Sequence, residues 1–255
     1  MYHMNILKDI FLLFKRHFKK GLRAPIWLFI GLSQPVLYLI LYMPLLKNMG
    51  PTSLLPTSEI VRIFVPGMLV IMAMGSLFAG FSFIDEIRQG LIARWLVTPT
   101  TRIGIIMSLV LNQILTLFLQ STILLIIAGF LGLHVAFSGI VLTMLLILLI
   151  GITMSSFSYA ISLSVKDEGV LASITNTSYL PLMLLSGIML PISFAPNWIK
   201  TMALFNPFYY AVEASRSLFA GDYGNLIILK GFAVILVFTG FSLWLAVRAL
   251  NKMAV

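Results

Sequence analysis

One stretch decides the fold: IGIIMSLVLNQILTLFLQSTILLIIAGFLGLHVAFSGIVLTMLLILLIGITMSSFSYAISLSV, residues 103–165, which is 63 residues long and has no Asp, Glu, Lys or Arg. A bilayer core about 30 Å thick is crossed by about 20 apolar residues of helix. Because that core holds no water, the backbone must satisfy its own hydrogen bonds, as a helix does. Gly129, Gly132, His134 and Gly139 mark a bend that divides the stretch into two spans. The sequence therefore predicts a helical protein that crosses a membrane several times.

The composition of the 255-residue chain supports this class. Hydrophobic residues make up 60%, charged residues 10%, and the mean hydropathy is +1.05, whereas soluble domains carry about 25% charged residues. The net charge of +9 does not indicate a nucleic-acid partner, because six bases precede the first span, where anionic lipid head groups and the positive-inside rule explain them. These six are Lys8, Lys15, Arg16, Lys19, Lys20 and Arg23.

Metal and thiol chemistry are not expected. The chain has no cysteine, which excludes disulfides, thiolate nucleophiles and cysteine-based metal sites. His3, His17 and His134 are far apart and have no Asp or Glu at ligand spacing. The sequence therefore predicts no metal site.

The chain divides into two parts. Residues 1–24 pattern as an amphipathic helix, with apolar residues at helical spacing and most bases between them, which indicates a helix lying on the membrane surface. Residues 25–255 form one all-α transmembrane domain. Its apolar segments predict six spans, at about residues 25–46, 63–84, 103–130, 139–165, 170–189 and 226–247.

The segments between the spans differ in character. Residues 47–62 contain two prolines and a glycine and predict an exposed loop. Residues 166–168 predict a tight charged turn. Residues 192–225 are apolar but broken by prolines and charges, and they predict two short helices that dip partway into the bilayer.

Charge sets the orientation. Six crossings place both termini on one side of the membrane. With that side in the cytoplasm, twelve of the seventeen Lys and Arg residues fall on the inside and five on the outside. The positive-inside rule therefore predicts that both termini are cytoplasmic.

The sequence also limits how transport would be driven. It has no G-x-x-x-x-G-K-[ST] motif and no Gly-Lys dipeptide, so this chain has no P-loop and is not predicted to be an ATPase. Ion-coupled carriers place ionisable groups at mid-membrane, and none of the predicted spans has one near its centre. An ion-coupled secondary transporter stays an alternative, because Asn, Gln and backbone carbonyls also bind sodium. A membrane enzyme would need a catalytic constellation, and no H-E-x-x-H or G-x-S-x-G is present.

The remaining energy source is a cytoplasmic partner, and residues 85–102 are the longest predicted cytoplasmic segment between spans to which such a partner could bind. Asp85 to Val97 predict a short helix that ends before Pro99. Asp85 and Glu86 would lie in its first turn and Arg94 near its end, the order that the helix dipole favours. The segment is either a docking element or an ordinary solvated loop.

Polar residues inside the spans have two interpretations. Asn112, Gln113 and Gln120 of the third span and Thr175 and Asn176 of the fifth either line a translocation path or form interhelical hydrogen bonds worth about 0.6 kcal/mol each. The serines of the fourth span predict close helix packing. They are Ser155, Ser156, Ser158, Ser162 and Ser164.

Three segments resemble a known family. FSFIDEIRQGLIARWLVTPTTR, residues 81–102, is similar to the first cytoplasmic loop of ABC-transporter permeases of the type-2 export class, where an acidic residue, a Gly four on and a Thr-Pro close a coupling segment. Residues 180–222 resemble the same family's carboxy-terminal signature, most specifically at Asn206-Pro207-Phe208 and at Glu213 to Arg216. RAPIWLFIGLSQPVLYLILYMPLLK, residues 23–47, resembles the daunorubicin-resistance type of drug-export permease.

This resemblance implies a membrane subunit of an ATP-driven exporter in the bacterial cell membrane. Its partners would be membrane lipids, a second permease, identical or homologous, and two copies of an ATP-binding subunit. That subunit would hold ATP and Mg, so this chain is expected to bind no cofactor. The cargo would be a hydrophobic or amphipathic, drug-like compound, with a lipid-linked glycan or polysaccharide as the alternative.

The resemblance also implies roles for particular residues. Lys8 to Leu22 would be the family's interfacial elbow helix. Residues 192–225 would form an outer lid or gate. Coupling to the ATPase would involve Asp85, Glu86, Arg88, Gly90, Arg94, Thr98 and Pro99, with a second contact at Lys166, Asp167 and Glu168. The gate would include Asn206, Pro207, Phe208, Glu213 and Arg216.

Overall fold

The computed structural model describes residues 6–22, 26–47, 56–91, 101–188 and 192–253. Within these ranges the regular elements are helices, as predicted. Two of them are short 3-10 segments, at Gly75–Ala79 and Ile192–Phe194. The α-helices are α1 (Ile6–Leu22), α2 (Ile26–Lys47), α3 (Thr57–Met74), α4 (Gly80–Arg88), α5 (Arg102–Phe130), α6 (Phe137–Val165), α7 (Glu168–Leu184), α8 (Asn197–Ala203), α9 (Pro207–Ala220) and α10 (Leu226–Met253).

Four helical stretches in the described ranges are long and apolar enough to cross a membrane. They are Ser58–Arg88, Ile103–Phe130, Phe137–Val165 and Leu226–Lys252, and they correspond to the predicted second, third, fourth and sixth spans. The bend between the third and fourth spans is confirmed as a short loop that contains His134. Helices α2 and α7 stand where the first and fifth spans are predicted, and the total of six crossings stays a prediction.

The second span is longer than predicted at both ends. It consists of α3, the 3-10 segment and α4, which follow one another directly along the chain. The exposed loop predicted up to Arg62 is wrong for its last residues, because α3 begins at Thr57 and buries Ile60 and Val61 in the core. At the other end the helix does not stop at Ile84 but continues as α4 to Arg88.

This extension overturns one prediction about the charged segment. Asp85 and Glu86 do not lie in the first turn of a separate helix; they lie in the second half of α4, which ends at Arg88. Helix α4 ends at a tight turn through Gln89 and Gly90. The rest of the predicted coupling segment, with Arg94, Thr98 and Pro99, lies outside the described residues.

Helix α3 is the central helix of the bundle. In the most apolar window of its span 78% of the residues are buried, against 22% in α10. It packs against α2, α5, α6 and α9. A movement at either end of this helix would therefore displace side chains in the packed interior.

Besides the core around α3, a second cluster of buried hydrophobic residues lies at one end of the bundle. Leu13 of α1, Phe83 of α4, Ile105 of α5, Tyr159 of α6 and Leu250 of α10 are all buried in it. The cluster places α1 and the last turns of α10 at the same end of the bundle as Arg88.

The segment before α10 contains two short α-helices, α8 and α9, as predicted. Helix α9 packs against α3, α6 and α10. Whether these helices dip into the bilayer stays a prediction. The amphipathic amino-terminal helix is also present as α1, which packs along α5 with Leu13 and His17 buried and Phe11 and Leu12 exposed.

Candidate functional site

An ion pair joins the two charged segments that the sequence singled out. The Arg88 guanidinium donates to a carboxylate oxygen of Glu168 over 2.6 Å, although the residues are 80 positions apart. Both side chains are about half exposed, so the pair contributes about 0–1 kcal/mol to stability. Its consequence is positional: the end of the second span is held against the start of α7.

The turn that presents Glu168 is built by its neighbours. Lys166 takes the left-handed conformation, with φ of 56°, and its N–H donates to the Ser162 carbonyl over 2.9 Å as α6 ends. The Asp167 carboxylate then accepts from the Val170 N–H over 3.0 Å and caps α7. An acidic cap at a helix start is favoured by the open N–H groups and the helix dipole. The tight turn predicted for residues 166–168 is confirmed.

Glu86 differs from its neighbour Asp85, which is exposed. The Glu86 side chain is buried, and one carboxylate oxygen lies 3.6 Å from Nδ1 of the buried His17 on α1. A buried carboxylate is costly unless polar partners surround it. Glu86 therefore ties α4 to α1 and is not available on the surface for a partner protein.

Gly90 has a structural role at the end of α4. Its φ is 69°, a left-handed conformation that glycine adopts without the steric cost of a Cβ. The N–H of Gly90 donates to the Ile87 carbonyl and that of Gln89 to the Asp85 carbonyl, each over 3.0 Å. These bonds satisfy carbonyls at the helix end, the usual function of a glycine just past a helix.

The 3-10 segment Gly75–Ala79 interrupts the second span, and serines of α6 hold it. The Gly80 N–H donates to the Ser158 hydroxyl over 2.9 Å, and that hydroxyl donates to the Leu77 carbonyl. The Ser162 hydroxyl donates to the Gly80 carbonyl over 3.1 Å. The predicted close packing at these serines is confirmed, and their bonds to the backbone of another helix are an additional finding.

At Gly80, helix α4 lies close against α6. A Cβ at this position would lie 2.2 Å from the Ser162 hydroxyl oxygen and 2.9 Å from the Ser158 carbonyl oxygen. On the other side of the 3-10 segment, the Gln113 amide donates to the Ser76 hydroxyl over 3.2 Å. Polar groups from α5 and α6 therefore surround the interruption.

The other polar residues predicted for a translocation path do not converge within one chain. Gln120 is buried beside Gly31 of α2. Thr175 is buried and donates to the Leu171 carbonyl of its own helix over 2.8 Å. Asn176 is exposed, and the Asn112 side chain is partly buried. Gln113 fits the interhelical alternative, and the path stays a prediction.

The predicted outer-gate residues form a connected set. The Asn206 side chain caps α9 by accepting from the Phe208 N–H over 3.0 Å, and its amide donates to the Leu182 carbonyl over 2.7 Å. Pro207 is the first residue of α9, a position that suits proline because its missing N–H would have no helical partner. Asn206 therefore joins α9 to the end of α7.

Arg216 makes the second connection between these elements. Its guanidinium pairs over 2.8 Å with Glu213, three residues earlier on the same helix. The same guanidinium donates to the Gly187 carbonyl over 2.8 Å. A Cβ at Gly67 of α3 would lie 2.7 Å from the Ile188 carbonyl oxygen, so the segment that Arg216 holds also touches the central helix.

Sequence reasoning missed two features of the site. His17 was assigned no role, although it lies one turn after Leu13 on the side of α1 that is buried. Gly80 was not singled out, although Ser158 and Ser162 are four residues apart on one face of α6. Small residues at that spacing are a known sign of close helix contact in membranes.

Comparisons with known proteins agree with this description. The family profile of the ABC-2 type transporters matches residues 8–220. A protein named putative transport permease ycf38 from Cyanophora paradoxa is 28% identical over 217 residues, which cover 84% of this chain and 75% of that protein. The protein of the same name from Porphyra purpurea is 26% identical over 229 residues, 88% of this chain and 78% of that protein.

A further relative is much longer. ABC transporter G family member 20 of Dictyostelium discoideum is 25% identical over 202 residues, which are 77% of this chain and 28% of that protein. Membership of the family implies association with an ABC ATP-binding subunit. Because the profile spans most of the chain and the helices are long and apolar, this protein belongs to the ABC-2 type transporter family, as an integral membrane permease subunit of an ABC transporter.

Proposed function

We propose that this permease exports a hydrophobic or amphipathic, drug-like compound from a bacterial cytoplasm, driven by ATP hydrolysis on a separate subunit. The observation that carries the proposal is the Arg88–Glu168 pair, which joins the exposed end of the second span, at the end of α4, to the start of α7. Such a surface suits a soluble partner that pushes on the bundle. The drug-like cargo is supported by the resemblance of residues 23–47, and transport of a lipid-linked glycan by the reconstituted complex would favour the alternative cargo.

The exposed members of the charged segments form the proposed contact with the ATPase. Asp85 and Arg88 on α4 and the turn of Lys166 to Glu168 are accessible. We assign Glu86 a positioning role, because it is buried against His17 of α1. Force on Arg88 would therefore reach α1 through α4, and α7 through Glu168.

The interruption in the second span supports a mechanism for transmitting that force. A 3-10 stretch within a helix often marks a hinge, and Gly75–Ala79 lies between the central α3 and the terminal α4. ATP binding that closes the ATPase pair would tilt α4, and the span would shift from the packing that the bonds of Ser158 and Ser162 hold to a second packing without them.

Exposed polar side chains support a second permease subunit. Ser33 and Gln34 of α2 and Asn176, Thr177 and Ser178 of α7 are exposed on a single chain. Polar groups facing hydrocarbon are unfavourable, so these faces suit a partner subunit or a path between two subunits. With two permeases related by symmetry, each coupling surface takes one ATPase copy, which gives two copies.

The positions of α1 and of the end of α10 support a cytoplasmic location for both termini. The basic helix α1 and the end of α10 meet in one core cluster with Phe83 of α4, so the bases of α1 lie at the same end as Arg88. The positive-inside rule then favours this end as cytoplasmic. Residues 192–225 lie before α10 starts at the opposite end, where α9 would act as a lid held by Asn206 and Arg216.

The coupling surface is tested by cross-linking. The chain has no cysteine, so one introduced cysteine reports one position. We expect Arg88→Cys, in membranes that contain the ATP-binding subunit, to cross-link to that subunit in a manner that changes with ATP. The matched control is Arg62→Cys, since Arg62 pairs with Glu59 at 3.5 Å with similar exposure near the other end of the same span.

The control variant also defines the result that would contradict the proposed coupling surface. Arg62→Cys is expected to give no cross-link to the ATP-binding subunit. Equal cross-linking at both positions, or none at Arg88→Cys when the complex is intact, would contradict the proposed coupling surface.

A further inference from the structure

An apolar groove of about 490 Å³ runs between α1, α5 and α6. Its walls are three side chains of α1, four of α5 and one of α6, including Phe11, Phe14, Ile114, Phe118 and Leu148. The groove is open along one side, and almost all of its lining is carbon. Along α5 it extends from Leu111 to Phe118, about 10 Å of helix.

The position of the groove limits what fills it. Helix α1 packs against α5, and Leu13 belongs to the same buried cluster as Ile105, Ile106 and Leu109 in the first turns of α5. The groove lies further along α5, towards the middle of the span. The walls at Phe118 and Leu148 lie within stretches that are long and apolar enough to cross the membrane. A groove at this depth faces hydrocarbon, so an extended apolar chain matches both its shape and its chemistry.

Two exposed lysines follow the groove-lining residues along α1. Lys15 follows Phe11 by one helical turn on the same side of α1, and Lys19 follows Lys15 by another turn. Both lysines are exposed. Basic residues on an amphipathic surface helix attract anionic lipid head groups.

We propose that this groove is a binding site for one acyl chain of an anionic phospholipid, with Lys15 and Lys19 holding its phosphate. The acyl chain packs between the aromatic side chains of α1 and Ile114 and Phe118 of α5. The bound lipid thereby fastens α1 onto α5. Because α1 carries His17 beside Glu86, the lipid also steadies the base of α4. The binding site itself does not depend on the proposed export function.

Photolabelling tests the site directly. The purified full chain with its ATP-binding subunit is placed in nanodiscs of phosphatidylcholine and phosphatidylglycerol, with a trace of phosphatidylglycerol that carries a diazirine in one acyl chain. A matched phosphatidylcholine probe is used in parallel, and mass spectrometry locates the adducts. We expect adducts within Phe11–Phe14 and Ile114–Phe118, favouring phosphatidylglycerol by about five-fold for each lysine that contacts the phosphate.

Variants separate specific binding from general lipid contact. Lys15→Gln with Lys19→Gln is expected to reduce labelling by the phosphatidylglycerol probe to the level of the phosphatidylcholine probe. The matched control, Lys200→Gln with Lys230→Gln, removes two exposed lysines elsewhere and is expected to change nothing in the groove.

Three results would overturn the proposal. The first is equal labelling of the groove by both probes in the unaltered protein, which needs no variant to fold. The second is labelling spread evenly over exposed lipid-facing residues such as Val237 and Phe241 of α10. The third is a groove that cross-links to a second copy of the chain and takes up neither probe.

Discussion

Ser158 shows how much one hydroxyl does inside this bundle. It accepts from the Gly80 N–H and donates to the Leu77 carbonyl, and both partners belong to the second span. Membrane interhelical hydrogen bonds average about 0.6 kcal/mol and reach about 1.7 kcal/mol. With two backbone groups dependent on it, Ser158 belongs at the upper end of that range.

We predict that Ser158→Ala lowers the unfolding free energy by about 1–2 kcal/mol, because it removes one hydrogen bond from the buried Gly80 N–H and one from the Leu77 carbonyl. The measurement is unfolding of the purified protein in mild detergent. Ser164→Ala is the control, since the Ser164 hydroxyl donates to the Ala160 carbonyl of its own helix and, among the described residues, has no bond to another helix. Equal losses in the two variants would show that Ser158 has no special role.

At the scale of elements, the second span combines a packed helix with an interruption. Gly75 is the first residue of the 3-10 segment and Gly80 directly follows it, but the two glycines differ in their surroundings. A Cβ at Gly80 would meet α6 at 2.9 Å or less, whereas a Cβ at Gly75 would meet nothing within 4 Å. This difference makes the two glycines a matched pair for testing whether the contact of α4 with α6 matters.

Gly80→Ala is predicted to separate α4 from α6 and to destabilise the protein by about 1–3 kcal/mol, the usual cost of overpacking. Gly75→Ala is predicted to be neutral or slightly stabilising, because alanine restricts the unfolded chain more than glycine does. Thermal unfolding of both variants checks the comparison. A Gly80→Ala protein as stable as the Gly75→Ala protein would refute the close contact.

The elements also show what could be predicted from the sequence. The spans within residues 103–165 were predictable because a charge-free run has one stable arrangement in a bilayer. The end of the second span was not, because the charges of Asp85 and Glu86 predict that the span ends at Ile84 and that a separate short helix begins there. Glu86 instead belongs to the helix of the span itself, where it lies buried beside His17, which is far away in sequence.

The features of the candidate site likewise divide into those that nearby residues determine, which were predictable, and those that distant residues determine, which were not. The tight turn at residues 166–168 and the Glu213–Arg216 pair were predictable, because both depend on spacing along the chain. The ion pair of Arg88 with Glu168 joins segments 80 residues apart, and no local pattern signals it. The 3-10 segment was also missed, because its cause is the set of serines on α6.

For the whole molecule, the charged end and the opposite end of the bundle are linked by the second span, which runs from α3 through the 3-10 segment to α4. Helix α4 meets α1 and α7 at the charged end, and α3 meets Ile188 near the Arg216 cluster at the other. A push on α4 can therefore change the packing of the outer segment. The account requires that the push comes from an ATPase outside this chain.

The most direct measurement is transport by purified protein in sealed vesicles. With the ATP-binding subunit and ATP present on the side of Arg88, the account predicts that a hydrophobic dye accumulates against its gradient. It predicts no accumulation when either the subunit or ATP is omitted, even with an ion gradient imposed. Uphill accumulation by this chain alone would contradict the account.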